Sequence, residues 1–148
     1  MTAGAPAAAA AMLAARDRLA ARAFEAAVAA DPSLKERHSE ETLRRLAGDT
    51  ATLIENVATS VAAGDPGLIR SWAETAIPVY RRRAVPMDDL VSIANGIGAV
   101  LGASLAPAAA VHSNAAIDAA IEVFRWHRRL GGDARKRNRI LNAIYKGA

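Results

Sequence analysis

The chain of 148 residues contains no cysteine. This absence excludes a disulfide framework, a thiol nucleophile, a metal site with cysteine ligands and a cofactor attached through a thioether. A chain without disulfides is typical of a reducing compartment, so we expect a cytoplasmic protein.

Aromatic residues are also scarce, at 4% of the chain, and no segment alternates β-branched with polar residues. Alanine dominates the apolar 52% of the sequence. Alanine has the highest helix propensity, whereas strands favour β-branched and aromatic residues. The composition therefore predicts an all-α fold, and the length fits one domain with its own core.

Sequence motifs of catalysis and of phosphate binding are missing as well. The chain has no GxSxG, no Walker loop, no GxGxxG and no cysteine–histidine pair. Its acidic pairs, Glu40–Glu41 and Asp88–Asp89, are adjacent in sequence, so their side chains diverge around a helix instead of converging on a substrate. We expect no catalytic residues and no enzymatic activity.

Three histidines, His38, His112 and His127, raise the question of a metal or haem site. No two of them have the i, i+4 spacing that would place both on one metal ion. One proximal histidine would suffice for a globin haem, but the chain has few aromatic residues to line a haem pocket. We expect hydrogen-bonded or surface roles for all three, with no metal and no cofactor.

Positive charge is in excess: the formal net charge is +4, from sixteen arginines and three lysines against fifteen acidic residues. A high isoelectric point alone indicates solubility and non-specific attraction to anions. The uncharged stretch 90–117 is long enough to span a bilayer. Asn95, Pro107 and His112 interrupt it, and its many alanines and glycines gain little from lipid. We expect two buried helices there and no membrane span.

The chain divides into three parts by composition. Residues 1–8 have almost no side chain to bury, and we expect them to be disordered. Residues 9–130 carry apolar side chains at helical spacing and predict a helical domain, whose first helix covers 9–30. The pair Gly131-Gly132 then separates a basic amphipathic tail or signalling linker, residues 131–148.

Two helices at the centre of the chain have clear ends. Ser39 is expected to cap the first of them, with Thr42 three residues on. The turn Gly64-Asp65-Pro66 ends that helix, and Asp65 and Pro66 are predicted as the cap and first residue of the next. Pro78 is expected to kink the end of this second helix.

The remaining helices are predicted over 87–106 and 108–130, divided by Pro107. Gly98 and Gly102 lie one turn apart in the first of these, with Gly96 beside them, and they predict a groove on which another helix can lie close.

Three residues of the helix that follows Gly64-Asp65-Pro66 are candidates for lining a ligand pocket: Trp72, Ile69 and Tyr80. Trp72 and Tyr80 are eight residues apart on a helix and face roughly the same way. They could line a pocket for a small apolar ligand, or they could be core residues of a protein with few aromatics. We favour the core interpretation.

The order of features from Asp49 to Val85-Pro86 is similar to a known pattern. Asp49 opens a helical run, Gly64-Asp65-Pro66 forms the turn, Trp72 follows Pro66 by six residues, and a basic cluster precedes Val85-Pro86. This pattern resembles the non-haem globin-like sensor domains of stressosome proteins, distant relatives of the phycobiliproteins. Such domains often have a histidine and a phenylalanine where this chain has Thr52 and Ile69.

The resemblance implies a globin-like bundle of five to six helices without haem. It also implies a homodimeric sensor module in signal transduction and the stress response, which passes a signal through its last helix to an output domain or a larger signalling assembly. Apolar residues of the terminal helices and tail are the candidates for dimerisation and signalling: Phe24, Phe124, Ile140, Leu141 and Ile144.

Two other functions remain open at this level. A helical nucleic-acid-binding protein could use the arginine-rich tail, although a contact with the dimer partner is favoured for that segment. A haem or bilin carrier of globin-like fold is the third hypothesis.

Overall fold

A computed structural model describes residues 3–137, with side chains up to residue 128. This part of the chain is a bundle of α-helices without strands, which confirms the all-α prediction. Its seven helices exceed the expected five to six. They are α1 (Pro6–Ala14), α2 (Arg16–Ala30), α3 (Ser33–Arg37), α4 (Glu40–Ala63), α5 (Gly67–Arg82), α6 (Met87–Ser104) and α7 (Pro107–Arg137).

The helix expected over 9–30 is two helices, because the backbone leaves the α-helical region at Ala15, where φ is −102° and ψ is 13°. The expectation of disorder over residues 1–8 also needs correction, since α1 begins at Pro6. Proline suits this first turn because its missing N–H would have no partner there. The Ala5 N–H donates to the Val61 carbonyl at 2.8 Å and ties the start of α1 to the end of α4.

The ends of α4 follow the sequence signals. The Ser39 hydroxyl accepts a hydrogen bond from the Thr42 N–H at 3.2 Å, as the predicted cap requires. Gly64 ends the helix with φ of 66°, a left-handed conformation that favours glycine. Asp65 then accepts from the Gly67 N–H at 2.8 Å, so α5 begins one residue later than predicted.

Close helix packing occurs at Gly96 of the predicted glycine groove and not at Gly98 or Gly102. A Cβ on Gly96 of α6 would lie 2.3 Å from the carbonyl oxygen of Ala23, so α2 and α6 touch backbone to backbone. Gly98 faces the Ile117 side chain of α7, and a Cβ on Gly102 would meet nothing within 4 Å. The groove predicted at Gly98 and Gly102 is therefore centred on Gly96.

The last helix, α7, is 31 residues long, or about 46 Å at 1.5 Å per residue. It runs through Gly131-Gly132 without a break, so the helix predicted to end at residue 130 continues past the glycine pair. It lies antiparallel to α6, since Gly98 is beside Ile117 and Arg128 pairs with Asp88. Over the part of the chain that is described, no helix is both long and apolar enough to cross a membrane.

Candidate functional site

The three candidate pocket residues on α5 occupy two environments. Ile69 is fully buried, and its N–H donates to the Ser60 hydroxyl of α4 at 3.0 Å. Tyr80 is also buried, whereas Trp72 is half-buried at the edge of the core. Ile69 and Tyr80 therefore belong to the core, as the favoured interpretation expected, and only Trp72 reaches the surface.

The Tyr80 side chain lies in a cluster with Asp49 and Arg83. The Arg83 guanidinium donates to both oxygens of Asp49, at 3.0 and 2.8 Å, and its centre is 5.7 Å from the Tyr80 ring. Burial raises the pKa of the Tyr80 hydroxyl to about 12; the Asp49 carboxylate acts in the same direction and Arg83 opposes it. This cluster fixes the end of α5 to α4 and keeps the phenol neutral.

A second cluster surrounds Asp89, whose carboxylate is 1% exposed at the start of α6. One oxygen accepts from Arg37 at 2.6 Å, and the other lies 2.5 Å from His38 Nε2. Because a carboxylate can only accept, Nε2 carries the proton of the imidazole. Arg37 also donates to Asp31 at 3.0 Å, so the end of α2, α3 and α6 meet at this point.

Hydrogen bonds shift two pKa values within the same cluster. The bonds from the Ser33 hydroxyl, first, and from Arg37 lower the pKa of Asp31. The bonds to Asp31 and then Asp89 raise the pKa of Arg37. Both shifts favour the charged forms, so the cluster is held together by charge at neutral pH.

A third cluster joins α5 to α7 through His127. Its Nε2 is 2.8 Å from the Glu74 carboxylate, and its Nδ1 is 3.2 Å from the Arg81 guanidinium. Arginine can only donate, so we assign Nδ1 as the acceptor and place the proton on Nε2. Arg70 and Glu122 pair further along the same two helices at 2.9 Å, and the order of these contacts makes α5 and α7 parallel.

Most of these charged groups lie at one end of the bundle, which we call the ion-pair end. It is formed by the end of α2, by α3, by the first turns of α4 and α6, and by the end of α5 with the adjoining part of α7. Its members are Asp31, Arg37, His38, Asp49, Arg83, Asp88, Asp89 and Arg128. Each arginine and histidine in this set has a carboxylate partner, so these side chains hold the helices together.

The outer surface of α4 and α5 carries apolar and uncharged polar side chains instead of ion pairs. Leu68 and Val79 are 42% and 43% exposed, and Trp72 lies between them on the same edge of α5. We call the combined surface the α4–α5 face. It comprises Gly48, Thr52, Asn56, Thr59 and Ala63 of α4 with Leu68, Ser71, Trp72, Thr75, Pro78 and Val79 of α5. None of these residues carries a formal charge.

The dimerisation candidates do not come together in the structure. Phe24 is half-buried on α2, against the core. Phe124 is fully buried inside the bundle, so the expectation that it contacts a partner is corrected: no surface of its side chain is available. Ile140, Leu141 and Ile144 lie outside the described residues.

The sequence patterns missed the Asp89 cluster, because its histidine is 51 residues from its carboxylate. The only sequence feature at this cluster was the acidic pair Asp88–Asp89 at the start of α6, and it predicted charges at a helix end.

Within the described side chains, no three histidine, aspartate or glutamate residues are placed to hold a metal ion. The sequence matches no protein-family model and no curated protein.

Proposed function

We propose that the protein is a regulatory or sensory helical module without haem, which dimerises and transmits a conformational signal through its terminal helices. The observation that carries this proposal is the length of α7. Arg128 pairs with Asp88, the second residue of α6, at 2.9 Å. Nine further helical residues follow, so α7 extends about 13 Å beyond that contact.

This extension connects the interior of the bundle to whatever lies beyond residue 137. The buried part of α7 packs against α4, α5 and α6, so a shift of the helix changes its contacts with all three. Close-packed helices move as rigid units between discrete arrangements rather than bending continuously. A continuous terminal helix that packs on most of the core is suited to carrying such a shift to an output domain or a signalling assembly.

The histidines support this function over a haem carrier. Both ring nitrogens of His127 are engaged by Glu74 and Arg81, and His38 Nε2 is engaged by Asp89. A haem iron that binds Nε2 of either ring would have to displace a carboxylate, and one that binds Nδ1 of His127 would have to displace Arg81. We therefore expect the protein purified from a haem-replete host to show no Soret band at stoichiometric intensity.

The arginines favour a regulatory module over nucleic-acid binding. Arg83 and Arg128, which belong to the two basic clusters of the sequence, each pair with a carboxylate of the bundle. Affinity for nucleic acid depends on cations that are free to neutralise phosphates. We expect weak binding to duplex DNA at 150 mM salt; tight binding with a steep salt dependence would favour the nucleic-acid function instead.

The homodimer is tested by light scattering on the full-length chain between about 1 and 100 μM. We expect a mass near twice the 15.4 kDa of the chain. A monomer over the whole range would overturn the proposal. Replacing Ile140, Leu141 and Ile144 by serine tests the contribution of the tail, with Asn142→Ser as the control; we expect the triple variant to weaken the dimer and the control to leave it unchanged.

A further inference from the structure

Large apolar side chains are exposed at several places on the described part of the bundle. Among these places, only the outer edge of α5 carries several of them in a row. Leu13 is on α1, and Val111 and Trp126 are 15 residues apart on α7, or about 22 Å. Single exposed apolar residues of this kind are ordinary on a protein surface. On α5, by contrast, Leu68, Trp72 and Val79 follow one another at i, i+4 and i+11 along one edge.

The helix beside this edge extends the patch. The α4 and α5 helices are antiparallel neighbours, since Ser60 bonds to Ile69 and Asp49 to Arg83. The α4 residues of the face recur at the same spacing, from Gly48 to Ala63, and are small or uncharged; the half-exposed Glu55 at their far edge pairs with Arg16. Two adjacent helices give a surface about 20 Å long and about 20 Å wide.

We propose that two copies of this chain pack through the α4–α5 face about a two-fold axis. In a two-fold interface, residues near the axis meet their own copies, so a charged residue there would meet a like charge. The central part of the α4–α5 face has no charged residue and pairs with itself without this repulsion, while the exposed Arg45 and Arg82 lie beyond it, at the ion-pair end. Trp72 is the type of half-buried aromatic anchor that dominates binding energy in such interfaces.

Other surfaces fit a second copy less well. The exposed side of α6, with Asn95, Ala99 and Gly102, is also uncharged, but it offers no large apolar side chain to anchor a partner. The outer side of α2 carries Arg18, Arg22 and Glu25, which would meet their own copies near an axis.

The chain's own tail is also a poor occupant of the face. Its sequence over 135–146 is rich in arginine and lysine, whereas the face offers no carboxylate to pair with them. In addition, α7 packs against the edge of α5 that carries Arg70 and Glu74, away from Trp72. A second copy, which brings an uncharged apolar surface, is the better match.

This inference rests on the proposed homodimer and names its contact surface. The patch covers about 400 Å², roughly half of the 800 Å² that specific interfaces typically bury on each partner. We therefore expect a dissociation constant in the micromolar range rather than the nanomolar range.

The test places a charge on the face. Val79→Glu adds a carboxylate at a 43% exposed position, and Val111→Glu makes the same change at a 65% exposed position on α7. We expect Val79→Glu to raise the dissociation constant of the full-length dimer at least tenfold by light scattering or sedimentation. Val111→Glu should leave it unchanged, and circular dichroism should show native helicity for both.

Cross-linking tests the same surface without changing its polarity. Because the chain has no cysteine, any disulfide formed reports an introduced residue. Single cysteines at Leu68, Thr75 and Val79, each made separately, should include at least one that yields a covalent dimer on mild oxidation. Ala99→Cys on α6 is the control and should remain monomeric on a non-reducing gel.

The outcomes separate the two proposals. A wild-type monomer at all concentrations overturns both the homodimer and its surface. A wild-type dimer that Val79→Glu leaves intact, with cross-linking at Ala99 and none on α5, overturns the surface but not the homodimer. A dimer that is lost only when the tail isoleucines and leucine are replaced by serine also overturns the surface and leaves the proposed function in place.

Discussion

Replacing Asp89 by asparagine, and His38 by alanine, separately and together, tests whether the buried carboxylate cluster stabilises the bundle. Asp89 is 1% exposed and accepts two hydrogen bonds, of 2.6 and 2.5 Å, from charged or polar donors. Hydrogen bonds to charged groups contribute about 1.5–3 kcal/mol each. Asparagine keeps the shape and one acceptor oxygen but removes the charge, so we expect Asp89→Asn to cost about 2–3 kcal/mol.

The His38→Ala variant acts in a different way. It leaves the carboxylate charged and buried, with one oxygen lacking its imidazole partner. Leaving a buried group unsatisfied costs about 1–3 kcal/mol, and more when the group is charged. We expect a loss of about 2–3 kcal/mol, similar to that of Asp89→Asn but from the opposite cause.

The double variant discriminates this account from simple loss of packing. Once His38 is absent, Asp89→Asn removes a charge that had become only half compensated. The double variant should therefore be more stable than the sum of the single losses predicts, by about 1–2 kcal/mol. The control is Asp88→Asn, because Asp88 is adjacent in sequence but pairs with Arg128 on the surface, where both side chains are over 60% exposed. We expect it to cost less than about 1 kcal/mol.

The assay is urea unfolding followed by circular dichroism at 222 nm, at a fixed protein concentration because dimerisation shifts apparent stability. Two results would refute the reasoning. One is additivity of Asp89→Asn and His38→Ala within about 0.5 kcal/mol. The other is an Asp89→Asn variant as stable as Asp88→Asn.

Three further predictions follow from the packing and the pKa of buried groups. Gly96→Ala should destabilise the fold strongly because its Cβ would lie 2.3 Å from a backbone carbonyl oxygen, whereas Gly48→Ala, with nothing within 4 Å, should stabilise it by up to about 1 kcal/mol; thermal unfolding of both measures the difference. In a Tyr145→Phe variant, in which Tyr80 is the remaining tyrosine, absorbance at 295 nm should show ionisation near pH 12. The phenol of the unfolded chain ionises near pH 10. The contribution of Tyr80 to the free energy of unfolding should therefore be complete below about pH 10 and should fall as the pH rises toward 12. Arg83→Lys should cost about 1–2 kcal/mol in urea unfolding, because lysine cannot make the two parallel hydrogen bonds of the guanidinium; no measurable loss would mean that the pair does not stabilise α5.

Local signals predicted the central helices well. The Ser39 cap and the Gly64 terminus of α4 are set by interactions within a few residues of chain, which a sequence pattern records directly. The all-α class follows from composition for the same reason. The break at Ala15 was not predictable in this way, because alanines lie on both sides of it and only packing of α1 on α4 and of α2 on α6 separates the two helices.

At α7 the sequence predicted a break, at Gly131-Gly132, where the helix is continuous. A glycine pair has low helix propensity and reads as a break, but propensity is a weak signal that the context of a long helix overrides. The Asp89 cluster also could not be predicted from the sequence, because the positions of Arg37 and His38 relative to α6 depend on how distant segments pack. For the candidate site, the uncharged residues of the α4–α5 face alternate in sequence with Asp49, Glu55, Arg70 and Glu74, so their shared exposed surface required the fold.

The concentration of the most buried ion pairs at one end of the bundle makes the two ends respond to different conditions. At the opposite end, α1 is attached to α4 by a backbone hydrogen bond at Val61, and a Cβ on Gly4 would overlap the backbone of α4. Acid and salt weaken charge pairs but have little effect on such backbone contacts. The Ser33 and Arg37 hydrogen bonds lower the pKa of Asp31, so the stability from its ionised form is lost as the pH falls. Acidification should therefore loosen the protein in a fixed order: amide protons of α3 near Asp31 should exchange with solvent first, while those of α1 and the end of α4 stay protected. Partial unfolding in this protein would then have a direction along the bundle, and it would begin where α7 emerges.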